Sequence, residues 1–138
     1  APVSERPDAK IAVVDGSNVA YNGEAGPPRL VNITRMCDKL TEEGYEPVVV
    51  VDAALRHQID DVDRYEELVH DGRIRQAPAG TDADYFILSL AREMDGAIVS
   101  NDRFKDHRTA FPEAAERTIR YMIVGDEVVL ERRSVRRG

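Results

Sequence analysis

The stretch Ile11-Ala12-Val13-Val14-Asp15-Gly16-Ser17-Asn18 sets an acid at the end of a short apolar run rich in β-branched residues. Such a run reads as a buried strand, and the Asp-Gly-Ser-Asn cluster after it reads as a turn. Asp15 would then stand at the carboxyl tip of a strand, where open α/β sheets bind their ligands. Two further acids hold comparable places: Asp84, near the start of an amphipathic helix, and Asp102, just past another apolar run at 97–99. Asp82 and Asp106 flank them as outer candidates. Carboxylates gathered from separate elements are what a hard divalent cation needs. Two such ions about 3.5–4 Å apart activate water and stabilise the leaving oxygen of a phosphodiester. Ser17, Asn18, Ser100 and Asn101 add small polar groups beside these acids.

Each acid also has a plainer explanation. Thr81-Asp82-Ala83-Asp84 spells a capping box, in which Asp84 would bond back to its own helix end. An aspartate before glycine is commonly a turn residue, Asp102 after Ser-Asn suits an Asx turn, and Asp106 opens a helix, where an acid favours the dipole. What separates a site from four local bonds is convergence at one edge of one sheet. Rival acidic motifs fail on spelling. An adhesion-type metal site needs serine where Val19 stands, and a haloacid-dehalogenase-like phosphatase needs an acid where Ser17 stands. A response-regulator receiver needs an acidic pair at the first strand end, which is missing. His57, His70 and His107 are too scattered to form a ribonuclease-A-like pair.

The elements that must position these residues follow from periodicity. After the first strand, residues 21–28 are rich in Gly and Pro and read as a loop. Leu30, Ile33, Cys37 and Leu40 recur at helical spacing, with Gly44 as the stop. Residues 47–51 form a second strand ending in Asp52, residues 60–70 a short helix with Leu68 and Val69 inward, and residues 73–77 an edge strand. Thr81 opens a helix whose apolar face is Ala83, Phe86, Ile87, Leu90, Ala91 and Met94. Residues 97–99 make a fourth strand, part of 106–117 a helix with Pro112 near its start or at a break, and 119–124 with 128–130 a hairpin across Gly125-Asp126. Strands alternating with helices predict an α/β three-layer sandwich around a central, mostly parallel sheet, with a C-terminal β-hairpin. The predicted organisation is a lead-in over 1–9, one domain over 10–131 and a basic tail over 132–138.

Composition narrows the function. The chain has 138 residues, 42% hydrophobic and 33% charged, which suits one domain. A net charge of −7 excludes nucleic-acid binding by bulk attraction alone, but not binding through cations held by acids. The single cysteine, Cys37, rules out an intramolecular disulfide and a cysteine-based zinc site. No membrane span or signal peptide is visible, so the expected location is cytoplasmic.

With those residues in place, the chain resembles the NYN branch of the PIN-like nucleases, and within it the Regnase/MCPIP endoribonucleases. Three blocks carry the resemblance: Val13–Ala20, Asp84–Leu88 and Val99–Asp106, with Tyr121–Asp126 similar to the family's closing segment. The resemblance implies a PIN-like fold, Mg²⁺ or Mn²⁺ in an acidic pocket, and hydrolysis of single-stranded RNA to 5′-phosphate and 3′-hydroxyl ends. It implies Asp15, Asp84, Asp102 and Asp106 as catalytic, metal-binding acids, with Asn18 shaping the site. Regnase-like members carry two adjacent aspartates where this chain has Ala83-Asp84, so Asp82, one residue upstream, is the candidate substitute metal ligand, with Asp106 as the alternative. Asp82 stands about 100° further round a helix than the missing acid would. Ser17, Asn18, Arg56, Ser100, Asn101, Arg103 and Lys105 are the candidate RNA contacts, with Arg73, Arg75 and Arg108 as further cations and Tyr21 and Tyr85 as stacking candidates. The family's CCCH zinc finger cannot form from one cysteine, so RNA selection would fall to another domain, a partner or the loops. A homodimer stays open. So do two other functions: a non-catalytic RNA- or partner-binding module, and a nuclease for structured DNA.

Overall fold

Lys10–Asp15 forms the central strand, β1, of a five-stranded sheet in a computed structural model that describes residues 9–131. The expected lead-in falls almost wholly, and the basic tail entirely, outside those residues. Ala12, Val13 and Val14 are all fully buried, as a strand covered on both faces requires. β2 (Tyr45–Val51) pairs with β1 on one side, and β4 (Ala97–Val99) on the other. β3 (Ile74–Gln76) and β5 (Thr118–Ile119) close the edges, giving the all-parallel order β3-β2-β1-β4-β5.

Side-chain alternation along these strands divides the core in two, because successive residues point to opposite faces. Ala12, Val14, Val49, Val51 and Val99 pack with Val19, Ile33, Met36, Leu40 and Tyr65 on one face. That layer comes from α1 (Gly16–Tyr21), α2 (Leu30–Glu42) and α3 (Val62–His70). Val13, Val50 and Ile98 pack with Ile87, Leu88, Ala91, Phe104 and Phe111 on the other face. There α4 (Ala83–Met94) supplies most of the cover, with the short α5 (Ala114–Arg117) beside it. The three-layer α/β sandwich with a parallel sheet is therefore present. So is the antiparallel C-terminal hairpin, β6 (Tyr121–Val124) with β7 (Glu127–Leu130), which sends Tyr121 and Val128 into the first core. No helix among the described residues is long and apolar enough to cross a membrane.

Four local expectations need correction. The Gly16-Ser17-Asn18 segment is not a turn but the first turn of α1, because Asp15 caps it by accepting the Asn18 N–H at 3.3 Å. Ile119 is not part of the hairpin. It lies in β5, and the Asn101 side chain binds both backbone groups of Tyr121, through Oδ1 and Nδ2 at 3.0 Å each, in place of a neighbouring strand. The helix expected within 106–117 is reduced to a 3₁₀ turn, Lys105–His107, and four residues of α5. Pro112 accounts for the gap, since it lacks an N–H and pushes Phe111 away from helical geometry. Finally, α4 buries Ile87, Leu88 and Ala91, while Phe86 and Leu90 are only partly buried. The sheet draws Leu88 inward, one position off the expected stripe.

Connectivity fixes where a site can lie. The chain runs from β1 outward through β2 and β3, then returns to the other side of β1 with β4. The crevice between the carboxyl ends of β1 and β4 is thus the switch point, where ligands of open parallel sheets bind. Val14 pairs with Val99, so Asp15 and Ser100 emerge side by side there.

Candidate active site at the carboxyl edge of the sheet

Asp15 is the deepest acid, only 6% exposed. Its two oxygens are held separately: Oδ2 accepts the Ser100 hydroxyl at 2.8 Å and Oδ1 the Asn18 N–H. Burial pushes its carboxyl up to about 7, and the nearby Asp84 and Asp102 charges add to this; the bonds from Ser100 and Asn18 act against it. The same Ser100 oxygen accepts the Asp102 N–H at 3.0 Å, tying the loop after β4 to Asp15. Asp102 closes an Asx turn by accepting the Phe104 N–H at 2.8 Å. Phe104 lies at φ 50, in the left-handed region, with its ring buried in the second core. This anchors the exposed 102–107 loop over the site.

The capping box does not form. Asp82, not Thr81, caps α4 by accepting the Asp84 N–H at 3.0 Å, and the Thr81 hydroxyl instead donates to the Pro78 carbonyl at 2.5 Å. The Asp84 carboxylate accepts no hydrogen bond among the described residues. Burial raises its pKa, as do the charges of Asp102, Asp82 and Asp106, while His107 lowers it. Asp82 also meets His107, its Oδ2 lying 2.9 Å from Nε2. Donor atoms of Asp82, Asp84 and His107 all lie within 4.8 Å of one another, the one such group among the described residues.

Asp15, Asp84 and Asp102 share a cleft of about 400 Å³ with Ser17, Asn18, Asp52 and Ala83. A second cavity of about 480 Å³ shares Asp84 and Asp102 with it and adds Arg103, Lys105, Asp106 and His107. Four of the five expected acids thus converge on these two spaces, and Asp82 joins through His107. The carboxylates, with one imidazole, fit a hard divalent cation, and Asp84 offers oxygens not committed elsewhere.

The expected RNA contacts divide. Arg103 and Lys105 line the second cavity. Ser17 and Asn18 line the cleft and Asn101 the second cavity, and with Ser100 they also brace the site: Ser17 Oγ accepts the Asp52 N–H at 3.2 Å, and Asn18 Oδ1 accepts both the Asn101 N–H and the Tyr121 hydroxyl. Arg56 pairs with Glu66 at 2.9 Å and lines neither cavity; Arg73, Arg75 and Arg108 line neither as well. Tyr85 is 55% exposed beside Asp84, its ring set edge-on against Phe111. Two residues were missed. Asp52 could have been found by the rule that found Asp15, an acid directly after an apolar strand. His107 carried no signal, because nothing in the sequence places it beside Asp82.

Comparison with known proteins gives a family and a fold. A family model described as the Zc3h12a-like ribonuclease NYN domain matches residues 8–138. A crystal structure of nuclear proteinaceous RNase P 2 (PRORP2) from Arabidopsis thaliana is similar over 90% of this chain, with a TM-score of 0.71 and 22% identity. A second structure of that protein gives 91%, 0.71 and 25%. In both, this chain spans 30% of the longer protein's length. No curated protein matches the sequence.

Proposed function

We propose, on the premise that the chain belongs to the Zc3h12a-like ribonuclease NYN domain family, that it is a metal-dependent endoribonuclease acting on single-stranded RNA. The observation that carries this is the buried Asp15 at the β1/β4 switch point, with Asp84 and Asp102 around the same cleft. Asp15, Asp84 and Asp102 would hold Mg²⁺ or Mn²⁺, with Asp106 and Asp82 in support. A bound divalent cation lowers the pKa of water and offsets charge at the reacting phosphate. Ser100 fixes Asp15 and the 102–107 loop relative to each other, so the acids keep their spacing when a substrate enters. Arg103 and Lys105 draw the RNA backbone to the second cavity. The reaction adds water across the P–O3′ bond. The water oxygen stays on phosphorus, the 3′ oxygen leaves with a proton, and the ends are 5′-phosphate and 3′-hydroxyl. We assign the choice of RNA to another domain or partner, and place the protein in the cytoplasm.

The test is cleavage of an end-labelled single-stranded RNA with Mn²⁺, with EDTA, and with Asp15→Asn. Cutting should need metal and vanish in the variant. Products ending in 2′,3′-cyclic phosphate would overturn the mechanism. One observation favours a non-catalytic RNA-binding module instead: Ala83 lines the cleft at the position where the Regnase resemblance calls for an acid. Such a module would bind RNA without cutting it and show no Mn²⁺ affinity that depends on Asp15. Equal cutting of DNA of the same sequence would move the substrate class to nucleic acid in general.

A further inference from the structure

A third cavity, of about 570 Å³, opens on the opposite side of the acidic cleft and shares Tyr21 and Asp52 with it. The three spaces therefore form one groove across the carboxyl edge of the sheet, with the acids in the middle. Its two ends differ in chemistry. The end past β4 sets Arg103, Lys105 and His107 among Asp84, Asp102 and Asp106, so it suits phosphate where those acids hold a divalent ion and the basic side chains meet the backbone. The end past β2 has no lysine or arginine in its wall, and the Asp52 carboxylate there repels phosphate. Its sides are Ala53, Ala54, Pro78 and Ala79, small enough to admit a flat ring. Tyr21 and His57 also line it, and the Tyr21 hydroxyl donates to Gln58 Oε1. With Oε1 engaged, the Gln58 amide nitrogen is left to donate to an acceptor on the edge of a base.

We infer that this cavity is a nucleobase subsite, seating the base of the nucleotide next to the scissile phosphate on the β2 side. The inference rests on the ribonuclease function proposed above. It deepens that function by giving the groove a direction: backbone gripped past β4, base inserted past β2. A cavity of about 570 Å³ lies in the range of small-ligand sites and has room for one unstacked nucleotide. Unstacked bases are what proteins read in single-stranded RNA.

The test is an abasic scan. A short labelled single-stranded RNA and its single-abasic variants are bound to the full chain in Ca²⁺ and measured by anisotropy, then cut in Mn²⁺. One abasic position should weaken binding about tenfold, the scale of losing one stacked and hydrogen-bonded base. That dependence should disappear in Gln58→Ala and in Ala54→Trp, which fills the cavity, with circular dichroism confirming the fold of each. Cutting with a flat scan overturns the subsite and leaves the nuclease. A position-dependent scan without cutting keeps the subsite and overturns the nuclease. Neither binding nor cutting overturns both, and a scan unchanged in the two variants places the base elsewhere.

Discussion

Burial at the centre of the molecule, beside two further acids, pushes the Asp15 carboxyl up to about 7, so ionising it costs the folded state free energy. In the unfolded chain it ionises near 3.8, in the folded protein near 7. Between those values the folded state binds the extra proton, so the contribution of Asp15 to stability falls as pH rises through that window and levels off above it. In EDTA at pH 8, Asp15→Asn should therefore be more stable than the unsubstituted protein, by on the order of a few kcal/mol. The gap should shrink towards zero as pH falls to about 4. Thermal melts across pH measure it, and a gap independent of pH would mean that Asp15 is not ionised at a cost. Adding Mn²⁺ should reverse the order at pH 8, because metal replaces the proton only where the carboxylate exists. At this scale the sequence was informative where spacing was local. Asp15, Asp84 and Asp102 were legible as ends of apolar segments. Asn18 was legible as shaping the site only through the family resemblance, and the support from Ser100 was not legible at all, since the contacts of both reach across more than 80 residues.

Elements, rather than residues, decide how closely those partners approach. Helix α1 starts directly from the tip of β1 and lies against β2, which only glycine at position 16 allows. A Cβ there would sit 2.6 Å from Val51 Cγ1, 2.9 Å from Val49 Cγ1 and 3.1 Å from the Val50 carbonyl oxygen. Gly16→Ala should cost about 1–3 kcal/mol in urea unfolding, the range for overpacking a close contact. It should also weaken Mn²⁺ binding, because Asp15 and Ser17 move with α1; full metal affinity would show that the contact relaxes elsewhere. Tyr121→Phe tests the hairpin's grip on the same helix. The hydroxyl lies 2.7 Å from Asn18 Oδ1 and 3.0 Å from the Asn18 carbonyl oxygen, so its loss should cost about 1 kcal/mol. Helices were legible because one-sided burial imposes a period, and central strands because burial on both faces leaves a continuous apolar run. The β5/β6 boundary was not: residues 119–124 read as one apolar strand, and only the Asn101 amide, folded over from β4, divides them. In the 106–117 segment the break at Pro112 was legible and the shortness of the helix was not, its geometry being set by Pro112 and by a left-handed Phe104 rather than by any repeat.

At the scale of the whole molecule, the charge and the proposed substrate oppose each other. A chain of net charge −7 with acids at its groove should repel RNA unless cations intervene. The cations fixed in the groove wall are few, Arg103 and Lys105 with His107 beside them. Two or three single-strand phosphate contacts would give log K against log salt a slope of about −1.4 to −2, at roughly 0.7 per contact. A basic-groove binder of similar size would show a steeper slope and would bind in EDTA. This protein should instead bind single-stranded RNA at least about tenfold more weakly in EDTA than in Ca²⁺, because its acids then face the phosphates unneutralised. Anisotropy titrations at several salt concentrations, with and without Ca²⁺, separate the two cases. A slope steeper than about −4 that survives EDTA would place the RNA on another surface, away from the sheet edge. A shallow slope that requires the divalent ion would mean that the acids at the switch point are where the strand is held.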